Sequence, residues 1–157
     1  MTNTFSTLDD FNYHGKRVLV RSDLNVPMRN GKVTDYTRLE RTAKTIKELS
    51  NQGARIIILS HFGRPKGKRI PEMSLAPVAS ALEAVLKSKV AFADDCVGST
   101  AEKAISKLKN GEVILLENLR YHEQEEANDK NFAKRIASLG DFYINDAFSC
   151  AHRAHAS

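Results

Sequence analysis

Polar side chains, with an unusual share of basic ones, follow four of the five short aliphatic runs in this sequence. They are Arg21, Asp23 and Asn25 after 18–20, His61 and Arg64 after 56–59, Asn118 and Arg120 after 113–116, and Asp146, His152 and Arg153 after 142–144. If the runs are parallel strands, the loops meet at one sheet edge, where open α/β sheets bind ligands. Guanidinium and imidazole groups at that edge predict a small anionic ligand.

Arg38 is the residue whose position most strongly indicates an anion. A helix is predicted from Thr37, with Thr37 and Glu40 as a capping box. Arg38 then takes the first position after the cap, where the helix dipole disfavours a cation by a few tenths of a kcal/mol. An anion docked at the helix start would share Arg38 with the backbone amides. The alternative is a solvated arginine whose head group points away from the helix.

The segment RSDLNVP places three polar side chains at alternate positions as the chain leaves a strand. Arg21, Asp23 and Asn25 can therefore all face one side. Arg21 can supply charge, while Asp23 and Asn25 can hydrogen-bond a hydroxyl or carboxylate. An Arg21–Asp23 ion pair, with Asn25 as a turn former, remains the structural alternative.

The segment SHFGRPKGKR contains candidate ligands but does not match a nucleotide loop. His61 and Arg64 are the candidates, and Gly63 allows the backbone to approach a ligand. A P-loop has four residues between its glycines and Ser or Thr after its lysine. Here Gly63 and Gly67 enclose three residues, and arginine follows Lys68. With no GxGxxG pattern either, the sequence shows no nucleotide site of its own.

The segment CAHRAH carries Cys150, His152 and His155 at spacings compatible with zinc. A structural zinc site normally has four protein ligands, and no fourth lies nearby in the sequence. Arg153 within the segment would repel a cation. We therefore predict no metal site.

The order of elements predicts an α/β fold. Short β-branched runs alternate with amphipathic helical patterns, which is typical of βαβ units around a parallel sheet. Strands are predicted at Arg17–Arg21, Ala54–Ser60, Val90–Ala93, Glu112–Glu117 and Phe142–Asn145, and a hairpin around Asn30-Gly31. Helices are predicted from Thr37 to before Gly53, from about Leu75 after a Ser74 cap, from a Ser99–Glu102 box to before Gly111, and from about Asp129 to Leu139.

These elements predict a doubly wound, mainly parallel sheet with helices on both faces, a Rossmann-like three-layer arrangement. The sequence ends at Ser157, about a dozen residues past the last predicted strand. Such a domain normally continues with another crossover, so we expect a truncated domain of a longer protein.

The amino-acid composition limits the classes of protein to which this chain can belong. The chain has 157 residues, 41% of them hydrophobic and 27% charged, as in a globular domain. No apolar run approaches the ~20 residues of a spanning helix, and no secretory signal opens the sequence. Two cysteines fit a reducing cytosol, and a net charge of +5 suits phosphate esters or nucleic acid.

Four motifs, in this order, resemble the amino-terminal domain of the phosphoglycerate kinase family: RSDLNVP, SHFGRP, LLENLRYHEQEE and INDAF with AHRAH. The resemblance covers essentially all of the chain. It implies that 1–157 is the substrate-binding domain of a two-domain kinase whose carboxy-terminal nucleotide-binding domain is absent here. The implied glycolytic reaction transfers a phosphoryl group between 1,3-bisphosphoglycerate and MgADP, giving 3-phosphoglycerate and MgATP. The nucleotide would bind the other domain.

The resemblance also implies roles for individual residues. Arg38 would stabilise charge on the transferring phosphoryl group. Substrate contacts would be Asp23, Asn25, Arg38, His61, Arg64, Arg120 and Arg153, with Arg21, Gly63, Asn118, Asp146 and His152 in support. Phosphoryl transfer depends mainly on positioning and electrostatic stabilisation, which arginines provide. We expect a cytoplasmic protein, monomeric at full length, of which this chain alone binds 3-phosphoglycerate weakly and does not catalyse.

Two other classes of function remain possible from the residues. A basic nucleic-acid-binding module could use the cations of 64–69, but the segment 63–69 contains no aromatic residue that could stack on bases. A metal-dependent hydrolase could use Asp94, Asp95 or Asp146, which lie scattered among cations. Neither a nucleic acid nor a membrane is an expected partner.

Overall fold

A computed structural model describes residues 13–24, 26–30, 32–60, 70–122 and 130–145. Its centre is a five-stranded sheet of β1 (Arg17–Arg21), β4 (Arg55–Leu59), β5 (Val90–Ala93), β6 (Val113–Leu116) and β7 (Phe142–Asn145). The spatial order is β5-β6-β4-β1-β7, and every neighbouring pair is parallel. Two short strands, β2 (Met28–Arg29) and β3 (Lys32–Val33), form the predicted antiparallel hairpin.

The sheet is buried on both faces because its inner strands are continuously apolar. In β4, Ile56 and Ile58 pack into one hydrophobic cluster, whereas Ile57 and Leu59 pack into a second. Successive strand residues point to opposite faces, so each cluster covers one face. Continuous apolar strands of this kind are typical of parallel sheets between two helical layers.

Helices cover both faces of the sheet. They are α1 (Thr37–Asn51), α2 (Ala76–Leu86), α3 (Gly98–Ser106) and α4 (Lys130–Ala137), with 3-10 turns at Pro71–Met73 and Leu119–Tyr121. Ile46 of α1 and Leu82 of α2 belong to the first cluster. Ile105 of α3 and Phe132 of α4 belong to the second. The predicted doubly wound α/β fold is confirmed, and no described helix is long and apolar enough to cross a bilayer.

The predicted capping box at Thr37 is wrong. Thr37 is the first residue inside α1, and its amide and hydroxyl both donate to Asp35 Oδ1, at 2.9 and 2.7 Å. The carboxylate two residues upstream is a stronger acceptor than a hydroxyl and replaces it at the helix start. These bonds, the hydroxyl bond first, lower the pKa of Asp35 below its ordinary value, so the group is ionised at neutral pH.

The predicted capping box at Ser99 is also wrong. Helix α3 begins one residue earlier, at Gly98, and the extended residue Val97 takes the cap position. A capping side chain must come from a residue with non-helical dihedrals, which Ser99 no longer has. At α2 the prediction holds in part, because Ser74 Oγ accepts a hydrogen bond from the Ala76 amide at 3.1 Å.

Asp141 joins the beginning of β1 to the turn before β7. Its Oδ2 accepts from the Arg17 amide at 2.9 Å, and its Oδ1 lies 3.3 Å from Arg17 Nη2. The backbone hydrogen bond first, and then the guanidinium, lower the pKa of Asp141 below the ordinary 3.8. A carboxyl whose pKa is lower in the folded state stabilises the fold above its unfolded pKa. That stabilisation is lost as pH falls through the folded pKa.

We therefore expect Asp141→Asn to lower the free energy of unfolding at neutral pH, by under about 1 kcal/mol because the pair is exposed. The difference from the wild type should shrink as pH falls below the ordinary carboxyl pKa of 3.8. Urea denaturation from about pH 6 to about pH 2 measures both effects. Glu48→Gln, at an exposed acid of α1, is the control. A deficit in Asp141→Asn that stays constant over this range would contradict the assignment.

Candidate functional site

Three loops meet at the carboxyl edge of the sheet and are joined by hydrogen bonds. The Ser22 amide donates to the Leu59 carbonyl at 2.9 Å. Ser60, which is fully buried, accepts from the Leu24 amide through Oγ and from the Leu119 amide through its carbonyl, both at 3.0 Å. The loops after β1, β4 and β6 are therefore fixed relative to one another. Ser60 was not singled out from the sequence, because its two partners lie far away along the chain.

Arg38 and Asp23 come together at this edge. Arg38 Nη1 lies 3.2 Å from Asp23 Oδ1, and the arginine side chain is 46% exposed against 22% for the aspartate. Two of the residues predicted for one site are thus in contact, although they lie on different elements. Because nearly half of the Arg38 side chain is exposed, a ligand can reach it from solvent.

The start of α1 borders an open cavity of about 630 Å³. Its lining is Val26, Pro27, Asp35, Thr37, Arg38 and Arg41. Two guanidinium groups give it positive charge, but the Asp35 carboxylate already accepts from the Thr37 amide. An anion here would be bound chiefly by arginine, and the Thr37 amide would not be available to share it. The prediction that an anion binds the amides at the start of α1 therefore does not apply to the Thr37 amide.

Arg21 ends β1 and is almost completely buried, at 1% exposure. It lies in register between Leu59 of β4 and Asn145 of β7. Burying a guanidinium costs free energy unless hydrogen bonds or opposite charges compensate for the lost water. At this depth Arg21 packs inside the sheet edge as well as contributing positive charge to it. Its supporting role stays a prediction.

A buried carboxylate anchors the loop that follows β6. Glu117 is 3% exposed, and its Oε1 accepts from the amides of Leu75 and Asn118, at 2.8 and 2.9 Å. Its Oε2 accepts from the Ser74 hydroxyl at 2.6 Å. One side chain therefore connects the end of β6 to the beginning of α2, 42 residues earlier in the chain. Glu117 was also not singled out from the sequence.

Two further bonds attach the same loop to the segment before α2. Asn118 Nδ2 donates to the Met73 carbonyl at 2.9 Å, and the Tyr121 hydroxyl donates to the Ile70 carbonyl at 2.6 Å. Asn118 is buried, which is compatible with the supporting role predicted for it. The 3-10 turn Leu119–Tyr121, whose middle residue is Arg120, is held on both sides by these contacts.

Comparison with known proteins decides the family. The family model described as phosphoglycerate kinase matches residues 8–157. The chain belongs to the phosphoglycerate kinase family. Among curated relatives, the phosphoglycerate kinase of Granulibacter bethesdensis is 58% identical over 154 residues, which is 98% of this chain and 39% of the relative. That of Methylobacterium radiotolerans is 60% identical over 156 residues, with 99% and 39% coverage.

Solved structures agree with the family assignment. Phosphoglycerate kinase from Coxiella burnetii matches with a TM-score of 0.85 and 43% identity, covering 98% of this chain and 38% of that structure. The Pyrococcus horikoshii enzyme matches with a TM-score of 0.85 and 35% identity, covering 95% and 38%. The family resemblance predicted from the motifs is confirmed. The chain spans about two-fifths of the length of the relatives it matches.

Most of the other predicted site residues lie outside the described residues. These are Asn25, His61, Gly63, Arg64, Asp146, His152 and Arg153. The backbone of Arg120 belongs to the 3-10 turn, but its side chain is outside the description. Four arginines are predicted substrate contacts, namely Arg38, Arg64, Arg120 and Arg153. The structure describes the side chain of Arg38 alone among them, so their convergence on one site stays a prediction.

Proposed function

We propose that this chain is the phosphoglycerate-binding domain, residues 1–157, of a two-domain phosphoglycerate kinase. The whole protein would transfer a phosphoryl group between 1,3-bisphosphoglycerate and MgADP, giving 3-phosphoglycerate and MgATP. Family membership and the partial coverage of its relatives support this division. The nucleotide would bind the carboxy-terminal domain, which would be the chain's main protein partner.

The observation that carries the proposal is the Arg38–Asp23 pair at the carboxyl edge of the sheet. Asp23 contacts the guanidinium, and the Arg38 side chain is still 46% exposed, so a substrate can reach it. Arg38 would bind the three-carbon acid. During transfer, Arg38 would also stabilise negative charge on the oxygens of the moving phosphoryl group.

The remaining predicted contacts would complete the site around Arg38. Substrate binding is assigned to Asp23, Asn25, His61, Arg64, Arg120 and Arg153, with Arg21, Gly63, Asn118, Asp146 and His152 in support. In the ATP-forming direction, the bond between the phosphorus and the C1 carboxyl oxygen of 1,3-bisphosphoglycerate breaks. A β-phosphate oxygen of ADP forms the new bond to phosphorus. The released carboxylate keeps the electron pair, so no proton transfer by a strong base is needed.

The proposal includes a cytoplasmic location and a monomeric full-length protein. We also propose that this chain alone does not catalyse, because a two-domain kinase must bring two bound substrates together and exclude water. The nucleic-acid-binding alternative has no support from the family or the fold and enters the test below as a control.

Titration of the isotopically labelled chain with 3-phosphoglycerate, followed by NMR, tests the proposal. We expect saturable binding with Kd on the order of 1 mM, with shifts at Ser22, Asp23 and Arg38. Amides of 87–89, which precede β5 at the opposite sheet edge, should stay unchanged. Glycerate and a single-stranded oligonucleotide are the control ligands.

Absence of saturable shifts at the Arg38 edge would overturn the proposed ligand. Tighter binding of the oligonucleotide, weakened steeply by salt, would favour the nucleic-acid alternative. Robust ATP turnover by the chain alone would overturn the proposed division of the activity between two domains.

A further inference from the structure

Three metal-ligating side chains from two loops meet at one end of the sheet. Asp95 and Cys96 follow β5, and His122 follows the 3-10 turn after β6, the neighbouring parallel strand. Asp95 Oδ1 lies 2.8 Å from His122 Nε2. One carboxylate oxygen, the Cys96 Sγ and one imidazole nitrogen all lie within 4.8 Å of one another.

We propose that Asp95, Cys96 and His122 form a binding site for one zinc-class divalent cation. Thiolate sulfur, imidazole nitrogen and carboxylate oxygen are the donor types that zinc prefers, at bond lengths of about 2.0–2.3 Å. Tetrahedral geometry at those lengths separates the donor atoms by about 3.3–3.8 Å. The 2.8 Å contact between Asp95 Oδ1 and His122 Nε2 has to open by about 0.5 Å to admit the ion, which side-chain rotation can provide. Three protein ligands leave a fourth position for water.

Burial and charge around the cluster are compatible with a bound cation. Cys96 is fully buried, whereas the side chains of Asp95 and His122 are 30% and 26% exposed. An ion can therefore enter past the carboxylate and imidazole and reach the thiol at the inner end. Asp94, the exposed residue before Asp95, adds negative charge nearby in the chain. Binding would release the thiol proton, since the thiolate is the ligand.

The cluster is separate from the proposed substrate site. It lies beyond β5 and β6, whereas Asp23 follows β1, and β5 and β1 are three strand spacings apart in the sheet. At about 4.8 Å per strand, that is roughly 14 Å. His122 nevertheless comes two residues after Arg120, so an ion would also fix the end of the turn that carries a predicted substrate contact.

Titration of the chain with Co²⁺, and then displacement by Zn²⁺, tests the site. A thiolate–cobalt complex gives a near-ultraviolet charge-transfer band and intense visible bands when it is tetrahedral. We expect one Co²⁺ per chain, with the charge-transfer band lost in Cys96→Ser. We also expect His122→Gln to weaken the apparent affinity at least about tenfold. Circular dichroism confirms folding, and His122→Gln decides the matter if Cys96→Ser does not fold.

Cys150→Ser is the matched control, because the segment 150–155 offers a second cysteine with two histidines. It should leave the cobalt spectrum and the zinc affinity unchanged. A band lost in Cys150→Ser and retained in Cys96→Ser would overturn the proposal. An unchanged metal affinity in His122→Gln would also overturn the proposal. The absence of any thiolate–cobalt band would overturn it too, and the Asp95–His122 contact would then be an ordinary hydrogen bond.

Discussion

Replacement of Arg38 by alanine is expected to weaken binding of 3-phosphoglycerate to this chain at least about tenfold. A hydrogen bond to a charged partner contributes about 1.5–3 kcal/mol, and each 1.4 kcal/mol is about a factor of ten in Kd. The variant also removes the cation that lies 3.2 Å from the Asp23 carboxylate, which makes this edge of the sheet less favourable for an anionic ligand. NMR titration of wild type and variant under identical salt conditions measures the ratio of dissociation constants.

Two further variants make this test specific to the guanidinium. Lys47→Ala removes an exposed cation of the same helix about 13 Å along its axis, farther than the screening length at 0.1 M salt. It should change Kd less than twofold if local contact, and not general charge, binds the ligand. Arg38→Lys retains the charge but loses the planar fork, and an intermediate loss is expected. If Arg38→Ala binds within twofold of the wild type, Arg38 has no part in the site.

The strands were predictable because burial on both faces leaves a local signature. The bounds of β1, β5 and β7 agree with the prediction, and β4 and β6 are one residue shorter at each end. A short uninterrupted apolar run such as that of β4 is typical of a strand that is covered on both faces of a parallel sheet. Helix starts were less predictable, because at α1 and α3 the acceptor or cap comes from a residue just upstream of the expected box.

The partners of polar side chains were not predictable, since they depend on packing between distant segments. The sequence indicated that Arg38 and Asp23 share a site but not that they contact each other, and it gave no reason to join Glu117 to Leu75. A carboxylate directly after four buried aliphatic residues does signal that a partner exists, because an uncompensated buried charge is costly. Which partner it is depends on how the segment before α2 packs against the end of β6.

The Asp95–Cys96–His122 cluster was also not predictable from the sequence, because it too depends on packing between distant segments. Asp95 and His122 are 27 positions apart in the chain, so the spacing of the three residues does not resemble a metal-binding motif. The segment 150–155 has such a spacing but lacks a fourth ligand. Parallel pairing of β5 with β6 places the first set together. Sequence spacing and spatial proximity therefore point to different candidate ligands, and the cobalt titration separates them.

Glu117→Ala is expected to lower the free energy of unfolding by about 2–4 kcal/mol. The variant removes the acceptor of three donors in a buried region: the Leu75 amide, the Asn118 amide and the Ser74 hydroxyl. The hydroxyl can rotate to another acceptor, but the two amides are fixed by the backbone. Each buried donor left without an acceptor costs about 1–3 kcal/mol. Chemical denaturation followed by circular dichroism measures the loss.

The other end of the same strand provides the control. Glu112 is exposed, and its carboxylate accepts from the Lys109 amide at 2.7 Å. Water can replace that bond, so Glu112→Ala should cost less than about 1 kcal/mol. Glu117→Gln should fall between the two alanine variants, because it keeps one acceptor oxygen but turns an amide group towards a donor. If Glu117→Ala is no less stable than Glu112→Ala, the carboxylate does not hold the loop of Arg120 in place.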